Sequence, residues 1–194
     1  KLIDKITDQT TKTECSNSKI YVTKTSTGYT YKPGLVCDNY ISLDTFNLVT
    51  NGDFSNGTTG WEKSGANISI VDGKLSVIAT QRYGQSVTNI FNTTNGNKYY
   101  IACYGVSNVV NTVYIQFNGG YTQPFYLPTT YGRKSAIAVS TITGNNRIQF
   151  VDGQSSGWTT FYIDNVISID LTSIFGAGNE PSISQIDDLI NKSK

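Results

Sequence analysis

The sequence predicts an all-β fold, a sandwich or barrel of short strands. Three observations predict it. Turn signals recur along the chain, at Asn51-Gly52, Asp72-Gly73, Asn95-Gly96, Asn118-Gly119, Gly144-Asn145 and Asp152-Gly153. The runs between them are rich in Val, Ile, Thr and Tyr, which suit a pleated, half-buried surface. Within these runs apolar and polar residues alternate with period two, so each strand has one buried and one open face.

In chain order, the first segment is polar with Leu2, Ile3 and Ile6 on one side, and a short helix is expected over residues 1–13. Lys19–Thr25 and Gly28–Lys32 alternate and are joined by two residues, which predicts a hairpin. From Phe46 onward strands are expected over residues 67–71, 74–79, 84–90, 98–107, 112–117, 133–140 and 147–150. Tyr99, Ile101 and Cys103 should share one face of their strand, opposite Tyr100, Ala102 and Tyr104. Val113, Ile115 and Phe117 should face the core, leaving Tyr114, Gln116 and Asn118 to look outward. After Pro181 the period changes. Ile183, Ile186, Leu189 and Ile190 recur at helical spacing, and Ser182 with Gln185 fits a capping box. The expected organisation is an N-terminal helix and hairpin region (1–45), a β domain (46–170) and a tail with a short helix (171–194).

The 194 residues suffice for a real core. A net charge of +1 gives no field to attract nucleic acid or an anionic membrane. Charged residues make up only 15% of the chain, while Ser, Thr, Asn, Gln, Gly and Tyr abound. Such a surface binds through neutral hydrogen bonds and ring faces. No apolar run is long enough to span a bilayer as a helix. The chain begins at Lys1, so a processed or trimmed product is expected. Cys15 and Cys37 flank the hairpin, and closing the loop between them would stabilise by about 3 kcal/mol in an oxidising compartment. Cys103 reads as a small core residue. Catalysis is poorly supplied. The chain has no His. The carboxylates Asp53, Asp72, Asp152 and Asp164 all fall at turns or strand ends, whereas a glycosidase needs two about 5–9 Å apart across a cleft.

Residues 47–61, containing Asn51-Gly52-Asp53-Phe54 and ending in Gly60-Trp61, are answered downstream by Phe161–Val166. This pairing resembles the opening and closing strands of the jelly-roll carbohydrate-binding modules of the xylan- and glucan-binding type. The same pairing is found in phage tail and bacterial surface proteins, and the tail from Asp170 to Pro181 strengthens that side of the likeness. Residues 15–37 resemble the region after the leader helix of pilin-like surface proteins. The resemblance implies a two-sheet antiparallel jelly roll and a non-enzymatic glycan-binding role, outside the cell, at its surface or on a virion. Expected partners are a polysaccharide or cell-surface glycan and other copies of the chain.

The resemblance also implies a site. Its first ring position falls on Tyr83, with Gln85 two residues on. Tyr121 stands near a second ring, and Gln149, between Ile148 and Phe150, should point into the cleft. Gln116 and Asn118 flank this surface by alternation. Flat rings suit the apolar faces of pyranoses, and amides suit their hydroxyls. Trp61 is expected in the core edge, and Trp158 as a further contact. A structural calcium ion is implied where the opening segment meets the last strand, with the Asp164 carboxylate and the carbonyls of Asp53 and Lys74 as ligands. The family usually has an acidic residue where Ser55 stands. A second reading makes the chain a structural subunit of an extracellular filament, phage tail or surface layer. In that reading the hairpin and the terminal helix serve as assembly elements.

Overall fold

The computed structural model describes residues 21–25, 28–32, 46–81, 87–117, 125–153 and 159–192. Tyr21–Thr25 (β1) and Gly28–Lys32 (β2) form the expected antiparallel hairpin, with Val22 opposite Tyr31 and Lys24 opposite Tyr29. The helix expected over residues 1–13 and the Cys15–Cys37 pair lie outside the described residues.

The strands that follow are Glu62–Lys63 (β3), Ala66–Val71 (β4), Lys74–Ala79 (β5), Val87–Thr93 (β6), Lys98–Ser107 (β7), Val113–Phe117 (β8), Phe125–Tyr126 (β9), Gly132–Val139 (β10), Gly144–Asp152 (β11) and Thr160–Asp170 (β12). They build two five-stranded antiparallel sheets. The first has the order β10-β7-β12-β5-β4, the second β3-β6-β11-β8-β9. Alternation puts Leu75, Val77, Tyr99, Ile101, Cys103, Phe161 and Ile163 of the first sheet against Phe91, Val113, Ile115, Phe117, Ile148 and Phe150 of the second. Burial of each large apolar side chain contributes about 1.5–3 kcal/mol. Cys103 is fully buried, and burial pushes its thiol pKa up to about 12, which leaves it an inert core residue.

β12 runs four residues beyond the segment legible in the sequence, because a bulge interrupts its alternation between Asp164 and Ile167. Asn165 sits there at φ 48°. Ile163 and Val166 both belong to the inter-sheet core, while Ile167 and Ile169 face outward. That switch gives the first sheet an apolar outer patch. Leu171–Phe175 (α1), capped by the Asp170 carboxylate accepting from Ser173 N, and Ile183–Lys192 (α2) cover it. Tyr100, Ala102, Ile167 and Ile169 pack there against Leu171, Ile174, Phe175 and Ile186. The capping box forms as expected: Ser182 N donates to Gln185 Oε1 at 2.8 Å, and Gln185 N donates to Ser182 Oγ at 3.4 Å. Among the described residues no helix is long and apolar enough to cross a membrane.

Candidate functional site

One face of the first sheet is half covered by α1 and α2; among the described residues, the outer face of the second sheet is a broad surface built by strands. Because Val113, Ile115, Phe117, Ile148 and Phe150 turn inward, their neighbours turn out. Gln116 lies directly opposite Gln149, and Tyr114 opposite Tyr126. Gln149 is also opposite Thr88, and Arg147 is opposite Ile90. The two amides therefore sit side by side, half-buried, with Tyr114 two residues from Gln116 on β8 and Tyr126 beside it on β9. The rings of Tyr114 and Tyr126 meet edge to face, with centroids 6.2 Å apart and planes at 75°. Tyr126 keeps 36% of its surface exposed, Ile90 46%. Burial raises the Tyr114 pKa above the ordinary phenol value, with Tyr126 and then Asp152 adding to it, so its hydroxyl stays a hydrogen-bond donor. Gly153 makes room for that ring: a Cβ there would stand 2.9 Å from Tyr114 Cε1.

A paired amide offers two donors and two acceptor sites per residue, and the rings offer flat apolar area. Among the described strand positions of this face, Glu62 on β3 is the one carboxylate. Asp152 points the other way, is buried, and accepts from Thr159 Oγ1 at 3.0 Å. The face can hold a polar ring compound; among its described strand positions it presents no pair of carboxylates.

Of the sequence-predicted binding residues, Gln116 and Gln149 are brought together as cross-strand neighbours. Tyr83, Gln85, Asn118 and Tyr121 lie outside the described residues, as does Trp158. Their segments immediately precede β6 or link β8 to β9 in the chain. Trp61 is structural, as expected. It is buried against Phe54 and Phe150, and its Nε1 donates to Asn51 O at 3.1 Å. Sequence reasoning missed Tyr126 and Arg147. A two-residue strand such as β9 is too short to show any period.

Chain neighbours of the three residues proposed for calcium meet β12 beside its bulge. Gly52, next to Asp53, accepts from Val166 N at 2.8 Å, and Leu75, next to Lys74, is paired with Ile163. The implied set is one carboxylate, Asp164, and two backbone carbonyls. Asp164 Oδ1 accepts from Asn165 N at 2.7 Å and Oδ2 from Tyr131 Oη at 3.3 Å. Asp53 Oδ1 accepts from Ser55 N and Oγ. Calcium takes six to eight oxygens, and among the described residues no group of three or more acidic, His or Cys side chains comes together. Direct bonds join the opening segment to β12. Asn47 Nδ2 donates to Val166 O at 3.0 Å, Ser168 N donates to Asn47 Oδ1 at 2.9 Å, and Leu48 N donates to Ser168 O at 2.8 Å.

A cleft of about 380 Å³ opens at the end of the sandwich, where Tyr99 and Asp170 line it with Asn47 and Asn92. Its acid is consumed by architecture: Asp170 accepts from Asn97 Nδ2, Tyr99 Oη and Ser173. Burial above all, with Asp170 adding to it, pushes the Tyr99 pKa up to about 12.

No family model matches the chain, and no curated protein does. Solved structures are similar in fold. One named "CBM4 structure and function" superposes with a TM-score of 0.50 at 18% identity, covering 59% of this chain and 97% of that one. The N-terminal cellulose-binding domain of Cellulomonas fimi β-1,4-glucanase C gives 0.51 at 17% identity, covering 64% of this chain and 95% of that one. An arabinose-bound α-L-arabinofuranosidase gives 0.52 at 11% identity, over 74% of this chain and 29% of that one. At these identities the likeness is one of architecture: the chain folds as the jelly-roll sandwich of carbohydrate-binding modules, as residues 47–61 and 161–166 imply.

Proposed function

We propose that this chain carries a non-catalytic module that binds a neutral polysaccharide across the outer face of the second sheet, on an exported, surface or virion-borne protein. The observation that carries the reading is the cross-strand pair Gln116–Gln149 beside the Tyr114–Tyr126 ring pair, all on one face. Such a face matches a pyranose, whose hydroxyl rim meets amides while its carbon face meets a ring. The face has a single carboxylate on its described strand positions, so it supports holding a chain rather than cutting one. The architecture shared with carbohydrate-binding modules is consistent with that role without deciding it. Tyr83, Gln85, Asn118 and Tyr121 belong to the proposal as residues of the flanking segments.

The test is affinity electrophoresis of the intact chain through gels holding a β-glucan, a xylan or no polymer. Retardation by at least one polymer is expected. The double variant Gln116→Ala, Gln149→Ala should lose about tenfold in affinity, the equivalent of one or two neutral hydrogen bonds. Full mobility on every polysaccharide, together with concentration-dependent assembly in sedimentation, would replace this reading with that of a structural subunit.

A further inference from the structure

Among the described residues, no helix lies over the other half of the first sheet. Beyond the helices, its outer face carries Tyr104 and Val106 on β7 opposite Asp164 and Tyr162 on β12, Ser76 on β5 opposite Tyr162, and Lys74 at the start of β5. Tyr131 stands just before β10 and leans over them. A cleft of about 490 Å³ opens there, within the range of small-molecule sites. Val106 and Tyr162 lie along it, Tyr131 forms one wall, and the tip of the β4–β5 hairpin forms the other with Val71, Asp72 and Lys74.

What distinguishes this cleft from a merely tyrosine-covered sheet is how Tyr131 is held. Its ring keeps 41% of its surface exposed, yet it has three fixed partners. It stacks on Tyr104 at 5.9 Å with planes 23° apart, the Lys74 ammonium lies 5.4 Å from its centroid, and its hydroxyl donates to Asp164. The opposite wall is fixed as well, because Asp72 and Gly73 adopt φ of 50° and 74°, the tight-turn geometry of a two-residue hairpin. An exposed ring that is already ordered loses little freedom when a ligand covers it.

We propose that this cleft is a second saccharide site, taking a short stretch of neutral sugar. It is separate from the proposed site on the second sheet and shares only the ligand class with it. The rim has no net positive charge: Lys74 and Asp72 place opposite charges on the same wall, Lys74 Nζ donates to the Asp72 backbone carbonyl at 3.2 Å, and the Asp164 carboxylate accepts from Tyr131 Oη. Mixed rings, hydroxyls and compensated charges suit a pyranose better than an apolar peptide or an anion. The consequence is geometric. The two sites lie on opposite sides of two packed sheets, so one straight polymer cannot fill both, and the module would bridge two chains.

The experiment is an amide-resolved NMR titration of the intact chain with β-1,4-linked glucose and xylose tetramers. Two separate groups of perturbed amides are expected, one around Ser76, Val106 and Tyr162 and one around Gln116 and Gln149. Tyr162→Ala should abolish the first group or weaken it about tenfold, and leave the second unchanged. Lys74→Ala, in a half-exposed side chain, repeats the test should Tyr162→Ala not fold. Perturbations confined to the second sheet would overturn the inference while leaving the proposed function intact. Perturbations confined to the Val106 side would uphold the inference and remove the proposed face. No perturbation by either sugar would overturn both.

Discussion

Gly52 shows how much one missing side chain can decide. A Cβ there would lie 2.1 Å from Val166 O, a contact with backbone that no rotamer relieves. The same residue's carbonyl accepts from Val166 N. Gly57, in the same loop, has φ 59° and nothing within 4 Å of its would-be Cβ. Gly57→Ala should therefore cost about 1 kcal/mol, the price of a left-handed backbone alone. Gly52→Ala should cost about 3 kcal/mol, because strand β12 must move and a buried hydrogen bond opens. Urea unfolding of both variants checks the difference; equal losses would show that the loop is not clamped to β12. The sequence shows the Asn-Gly turn but not the reason for its glycine. Asn47 meets Val166 across 119 residues of chain, and nothing local encodes that approach. Asn89 is similar. It is buried in a strand, and its amide bonds Thr50 and Gly60, so it reads locally as an ordinary polar strand residue.

At the scale of elements, α2 was legible because helical spacing and a capping box are local signals. Its docking partner was not. Asp187 accepts from Tyr100 Oη at 2.5 Å, Arg133 Nε at 3.3 Å and Ser135 Oγ at 2.6 Å, and so anchors the helix to β7 and β10. Arg133 retains only 11% of its side-chain exposure. In sequence it is one cation at the start of a strand, and its burial depends on a helix more than fifty residues later, since it bonds Asp187 at a separation of 54. Removing the anion would leave that guanidinium buried and uncompensated. Asp187→Ala should cost about 3 kcal/mol, with Asp187→Asn intermediate, measured by chemical denaturation. A loss under half a kcal/mol in both would mean the helix is held by Ile186 and its apolar neighbours alone. The junction of the opening segment with β12 carries a second prediction at this scale. Its bonds are direct, from Asn47, Leu48 and Gly52 to Val166 and Ser168. The melting temperature should be the same in millimolar calcium and in chelator, whereas Asn47→Ala should lower it. A calcium-dependent rise of several degrees, lost in Asp164→Ala, would put a metal at the bulge.

For the molecule as a whole, the two-sheet sandwich was readable because period-two alternation and turn pairs survive in almost every strand. The candidate face was readable only in part. Gln116 and Gln149 follow from alternation and from the likeness of Ile148–Phe150 to its family position. The Tyr126 side of the face comes from a strand of two residues, and the face of the first sheet depends on the β12 bulge that reverses which residues look out. The chemistry of both faces leads to one global expectation. The chain carries 15 basic and 14 acidic residues, and each face mixes or nearly lacks charge. Binding that rests on ring contact and neutral hydrogen bonds has little Coulombic content for salt to screen, whereas charge-driven binding weakens steeply as the Debye length falls from about 10 Å at 0.1 M to about 3 Å at 1 M. Retardation by a neutral polysaccharide should therefore change less than about twofold between these salt concentrations. A tenfold loss at high salt would instead assign the contact to Arg147, Lys74 and their neighbours. The ligand would then be an anionic glycan, which the balanced charge of both faces argues against.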